Sequence, residues 1–177
     1  MQENQIDDPI ARMLEHRPRT TSDLLHTGVD LAGLDLAEYA ASAATKLKAD
    51  HPTVVFTSGR RTVAEQASAM AGNVAANRKW IEQTYAVSAE RDALQKWVDD
   101  NPAATTKPAI AVGLSGIMSG WTDAQRMKLS RHFAGLAFDV KPGDDALKTA
   151  IKALPNLVKF LDSEGGITIW HAEFKAL

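Results

Sequence analysis

Ser130-Arg131-His132-Phe133-Ala134-Gly135-Leu136-Ala137-Phe138-Asp139 decides how this chain is read, with Ile169-Trp170-His171-Ala172-Glu173 as its counterpart further on. The end of the first stretch alternates as a strand does. Leu136, Phe138 and Val140 fall on one side, Ala137 and Asp139 on the other. Apolar residues thus take the core face and Asp139 points into a cleft. The same period puts Ile167, Ile169, His171 and Glu173 on one face of a last strand, and Thr168, Trp170, Ala172 and Phe174 on the opposite face. If the two strands are neighbours, Asp139 and His171 meet His132 at one point. Two histidines and a carboxylate can hold a zinc ion with a fourth position open, the arrangement of a metallohydrolase. Taken singly, His132 reads as a helix-end histidine, Asp139 as a strand-end carboxylate and His171 as a neighbour of a core tryptophan. The joint pattern, with Ser130, Gly135 and Ala137 in place, favours the metal.

Working outward, Asp35-Leu-Ala-Glu38 resembles a capping box opening a helix to about Ala49, which His51-Pro52 ends. Thr53–Thr57 reads as a short β-branched strand. Thr62-Val-Ala-Glu65 is a second capping box, starting a long helix to about Tyr85. Ser88 caps the next helix, which ends at Asn101-Pro102. The small-residue stretch from Ala103 to Trp121 reads as loop around a short apolar piece, and Thr122 caps a short helix before His132. After the strand Leu136–Lys141, helices are expected over Asp144–Ala153 and Pro155–Leu161, then a Gly165-Gly166 turn into the terminal strand. Residues 1–33 read as a peripheral segment with short helical patterns at Ile10, Met13, Leu14 and at Leu24, Leu25; residues 34–177 read as a single domain. Helices first, then strands interleaved with helices, predicts an α+β fold with a small antiparallel sheet flanked by helices.

At 177 residues the chain can bury a substantial core unaided. It has no cysteine, so a thiolate nucleophile, a thiolate metal site and a disulfide framework are all excluded, and any zinc must use His, Asp and Glu. A net charge of -2 gives no drive toward nucleic acid. No apolar run approaches the roughly 20 residues of a membrane span. The polar, acidic start Met1-Gln-Glu-Asn-Gln-Ile-Asp-Asp lacks the basic and apolar regions of a secretory signal.

The pattern S-x-H-x-x-G-x-A-x-D followed by W-H-x-E resembles the zinc D-Ala-D-Ala carboxypeptidase and L-alanyl-D-glutamate endopeptidase family, of the phage endolysin type, which cuts peptidoglycan peptides. The resemblance covers roughly residues 53–174 with gaps. It implies the DD-peptidase-like fold, zinc on His132, Asp139 and His171, and a bacterial peptidoglycan peptide as partner. It also implies synthesis in the host cytoplasm and action on the cell wall after release or virion delivery. Thr57-Ser58-Gly59-Arg60-Arg61 matches the family's S-G-x-R, which makes Arg61 the residue that steadies the charge on the scissile carbonyl oxygen or grips a substrate carboxylate. Gln66 reads as support for this loop.

The chain departs from the family where an acid commonly stands three residues before the last histidine; Thr168 is there instead. Glu173, on the face of His171, and Glu164, in the preceding turn, are the nearest acids. Glu173 is the provisional base; its other reading is a carboxylate that orients a ligand or pairs with a cation. The departure leaves two functions open: a zinc metallopeptidase, or a catalytically inert relative that binds wall or builds a virion. A monomer is favoured. Trp80, Trp97 and Trp121 read as core or helix-entry residues, and His16, His26 and His51 as surface.

Overall fold

Four strands form one antiparallel sheet in the computed structural model, which describes residues 28–177. The helical patterns expected at residues 10–14 and 24–25, and His16 and His26, lie outside the described residues. In chain order the elements are α1 (Glu38–Asp50), β1 (Phe56–Ser58), α2 (Val63–Ala76), α3 (Trp80–Thr84), α4 (Ala89–Asp100), α5 (Lys107–Ser119) and α6 (Asp123–Leu129). A 3-10 turn at Arg131–Ala134 leads into β2 (Ala137–Val140), then α7 (Asp145–Lys152), β3 (Leu157–Glu164) and β4 (Ile167–Phe174). The sheet order is β1-β2-β4-β3, so the last strand lies between its two predecessors. The architecture is α+β, as expected. Among the described residues no helix is long and apolar enough to cross a membrane.

Two apolar cores lie side by side. The first packs the far face of the sheet (Phe56, Phe138, Val140, Trp170, Ala172, Phe174) against α1 and α7. Phe138 is its centre, with the rings of Phe56 and Phe174 5.2 and 5.0 Å away. The second is helical: α2 through α6 bury Met70, Val74, Trp80, Ile81, Leu94, Val98, Ile110, Leu114 and Met118, with Trp97 and Trp121 packed on the edge. The tryptophans are therefore core and near-core residues. Residues 28–33, read as part of the periphery, reach the sheet: the Val29 amide donates to the Phe56 carbonyl at 2.7 Å, and Leu34 is fully buried.

The capping signals at Thr62, Ser88 and Thr122 are all used, Thr62 and Thr122 in reciprocal boxes with Glu65 and Gln125. Elsewhere the structure corrects the sequence reading. Asp35 caps nothing; α1 starts after Ala37 without a side-chain cap, and Asp35 pairs with Arg60 at 2.8 Å. The long helix expected to Tyr85 breaks at Asn77 and resumes as α3. The expected loop at 103–121 is mostly α5, capped by Thr106, because packing against α2 and α4 outweighs the low helix propensity of Gly113 and Gly116. The expected helix at 155–161 is strand β3. Its β-branched and aromatic residues pair along β4 through the Gly165-Gly166 turn, where both glycines have positive φ.

Candidate metal centre

β2 and β4 pair with Asp139 directly opposite His171, so the two side chains share the sheet face that the alternation predicts. His132 comes from the 3-10 turn just before β2. Ser130 starts that turn, accepting from the His132 amide at 3.4 Å, and Gly135 ends it at φ 67°. A β-carbon at Gly135 would meet the Asp35 carbonyl and the Arg60 guanidinium at 2.9 Å, so both backbone angle and space require glycine there. The three side chains are buried, at 2, 1 and 6% exposure for His132, Asp139 and His171.

His132 Nδ1–H donates to the Gly59 carbonyl at 2.6 Å, an oxygen that can only accept. That contact fixes the tautomer and leaves the Nε2 lone pair for the site. Nε2 lies 3.3 Å from His171 Nδ1 and 3.3 Å from Asp139 Oδ1, and those two atoms are 2.8 Å apart. With metal–ligand bonds of about 2.0–2.1 Å, a tetrahedral site has ligand–ligand edges of about 3.3–3.4 Å. Two edges of the triangle have that length already. The third is a hydrogen bond and opens by about 0.5 Å when a metal ion replaces its proton. The expected ligand set is therefore assembled as a set that could hold a metal ion. Neutral imidazole and carboxylate donors without sulfur suit zinc among several divalent ions.

Each ligand has its own support. His171 Nε2, the nitrogen turned away from the triangle, donates to Glu173 Oε1 at 3.2 Å. Burial draws the His171 ring downward, but its hydrogen bonds to Asp139 and Glu173 prevail and bring its pKa to about 9. Burial lowers His132 below its ordinary value. Burial also works to raise the Asp139 carboxyl, but the side chains of His132, Arg61 and His171 hold it well below the carboxylate range. Glu173, its other oxygen 3.2 Å from Arg131 Nε, thus has the contacts of an orienting carboxylate.

Arg61 reaches the site. Its Nη2 is ion-paired with Asp139 Oδ2, Nε donates to Ser58 Oγ at 2.7 Å and Nη1 to Gln66 Oε1 at 3.3 Å. Three of the five N–H donors of a guanidinium are so engaged, leaving two. Gln66 is buried and also donates to the Tyr85 hydroxyl at 3.1 Å, a support role as expected. Thr168 pairs with Ser163 and is exposed to solvent.

A cleft of about 360 Å³ opens on the ligands, lined among others by Arg61, Tyr85, His132, Glu164, His171 and Glu173. Sequence reasoning missed Tyr85 and the Gly59 carbonyl. No residue type marks a backbone acceptor, though the glycine has a legible reason: a β-carbon at 59 would meet the Leu34 carbonyl at 2.1 Å.

Comparison with protein-family models, curated proteins and solved structures gives no match in any of the three.

Proposed function

We propose that this chain is a zinc-dependent peptidoglycan peptidase with a DD-peptidase-like domain over residues 34–177, cutting an amide bond in the stem or cross-link peptide of the bacterial wall. The observation that carries the reading is the buried His132–Asp139–His171 triangle, with edges near those of a tetrahedral site and a cleft on its open side. The motif resemblance supplies the substrate class.

His132, Asp139 and His171 would hold the ion. Zinc bound there supplies a Lewis acid that polarises a carbonyl oxygen and makes water acidic enough to lose a proton near neutral pH. The rest of the work falls to the chain. Gly59 and Glu173 fix the two imidazoles in the orientation and tautomer a ligand needs. Arg61 fixes Asp139 from behind and offers its two remaining N–H groups to the oxygen of the scissile carbonyl or to a substrate carboxylate. The cations Lys128, Arg131 and Lys159 on the cleft wall complement the carboxylates of stem peptides. Synthesis in the host cytoplasm and access to the wall by lysis or virion delivery belong to the same proposal.

The test is digestion of purified sacculi by zinc-loaded protein, with mass spectrometry of the fragments and a chelated control. New amino and carboxyl termini that vanish with chelator are expected. Intact sacculi in the presence of bound zinc would favour the inert wall-binding relative, the reading that Thr168 supports.

A further inference from the structure

With no acid at Thr168 and Glu173 engaged by His171 and Arg131, the proposed reaction lacks a free proton acceptor. We propose that Glu164, at the tip of the β3–β4 hairpin, is that acceptor, taking the proton of the attacking water and returning it to the leaving amine. This rests on the peptidase reading above.

The placement comes from the cavities that Glu164 lines. Glu164 pairs with Ile167, and cross-strand partners share a face. A register shift between Leu161 and Ser163 separates this pair from the Leu161–His171 pair, but Glu164, Ile167 and Ile169 line one cavity with Arg61, so the hairpin tip faces the site. Glu164 lines the cleft together with His132, His171 and Arg61, and it also lines a smaller cavity of about 180 Å³ beside Trp80, Tyr85 and Arg61. It therefore stands between the two spaces a bound peptide would occupy. Glu173 engages His171 and Arg131, whereas no hydrogen bond or ion pair of the Glu164 carboxylate occurs among the described residues. An acid that must accept and then release a proton needs that freedom. Burial pushes its carboxyl upward, the direction a base working near neutrality requires.

The hairpin tip is also built to hold this position. Gly165, the next residue, seats against α3: a β-carbon there would lie 2.0 Å from Trp80 Nε1 and 2.3 Å from Thr84 Oγ1. Only glycine allows the seat, and φ of 55° at Gly165 and 82° at Gly166 turns the chain there.

The chemistry balances. One O–H proton of water passes to the Glu164 carboxylate as the water oxygen bonds to the scissile carbonyl carbon. The C–N bond then breaks with its electron pair on nitrogen, and nitrogen takes the proton from Glu164. A new carboxyl group, a new amine and an ionised Glu164 remain.

The experiment compares wild type, E164Q, E173Q and G165A. In E164Q, kcat on sacculi is expected to fall about 10²–10⁴-fold. Zinc stoichiometry, melting temperature and the calorimetric Kd for N-acetylmuramoyl pentapeptide should stay at wild-type values. In E173Q, zinc affinity should fall about 10–100-fold, the change that E164Q lacks. G165A, which lifts the tip off Trp80, should lose kcat while keeping zinc. Difference infrared titration of chelated wild type against E164Q should show a carboxyl titrating above the ordinary glutamate value. Unimpaired kcat in E164Q, or a kcat loss confined to E173Q, overturns the assignment. So does loss of pentapeptide binding in a folded, zinc-loaded E164Q. Inactive wild type instead fails the peptidase reading itself, and the assignment falls with it.

Discussion

His171 is the residue on which the unloaded site depends. Lying between two carboxylates, it holds a proton on each ring nitrogen, and its pKa stands at about 9 against an ordinary 6.5. A histidine whose folded pKa is raised stabilises the fold fully below its unfolded value and loses that contribution as pH climbs through the folded one. The chelated protein should therefore melt at progressively lower temperature between pH 6.5 and about 9. Below 6.5 His132 works the other way, because burial disfavours its protonated form in the fold. Zinc inverts the upper limb. It must displace the Nδ1 proton, so the rise in melting temperature on adding zinc should grow from pH 6.5 to 9. Melting curves of chelated and zinc-loaded protein across that range check both slopes; a flat chelated profile would contradict the protonated His171.

Among the elements, α5 separates what a sequence shows from what packing decides. Gly113 and Gly116 argue locally against a helix, yet their environments differ. A β-carbon at Gly113 would lie 1.7 Å from the Trp97 ring, whereas one at Gly116 meets nothing within 4 Å. Gly113→Ala is expected to destabilise by about 1–3 kcal/mol, since the indole must move. Gly116→Ala is expected to stabilise by up to about 1 kcal/mol, the helix propensity difference. Opposite shifts in denaturant midpoint would establish that contact with Trp97, and not intrinsic propensity, governs this helix. The same contrast explains β3. Leu157-Val158-Lys159-Phe160-Leu161 is ambiguous in period, and only pairing with β4 makes it a strand.

Across the molecule, the ligand set bridges the two cores. Asp139 and His171 stand on the sheet whose other face is in the first core, while Phe133, beside His132, packs on the helical second core. Zinc should consequently protect backbone amides on both sides of the seam, in residues 59–61, 131–135, 137–140 and 169–173. Hydrogen exchange of α4, remote from the ligands, should stay unchanged. Uniform protection of every element would show instead that the ion acts only through global stability.

How far the site could be read in the sequence follows from the same arrangement. His132, Asp139 and His171 were legible because strand alternation and a compact motif fix their faces. Arg61 was legible by its spacing after Ser58 and Gly59, but its bond to Asp139 crosses 78 positions. The choice between Glu173 and Glu164 was not legible. Both line the cleft, and only the side-chain contacts show that one is engaged by His171 and Arg131.

The strand order has a consequence for biosynthesis. β4 lies between β2 and β3 yet leaves the ribosome after both. Until residues 167–174 emerge, Asp139 and His132 lack their third companion, and β2 and β3 have no strand to join them. The nascent chain thus cannot capture zinc in the geometry of the finished site. An ion held by these ligands could lock only a sheet already closed by its final strand, so its stabilisation would slow unfolding and leave early folding to the helical core.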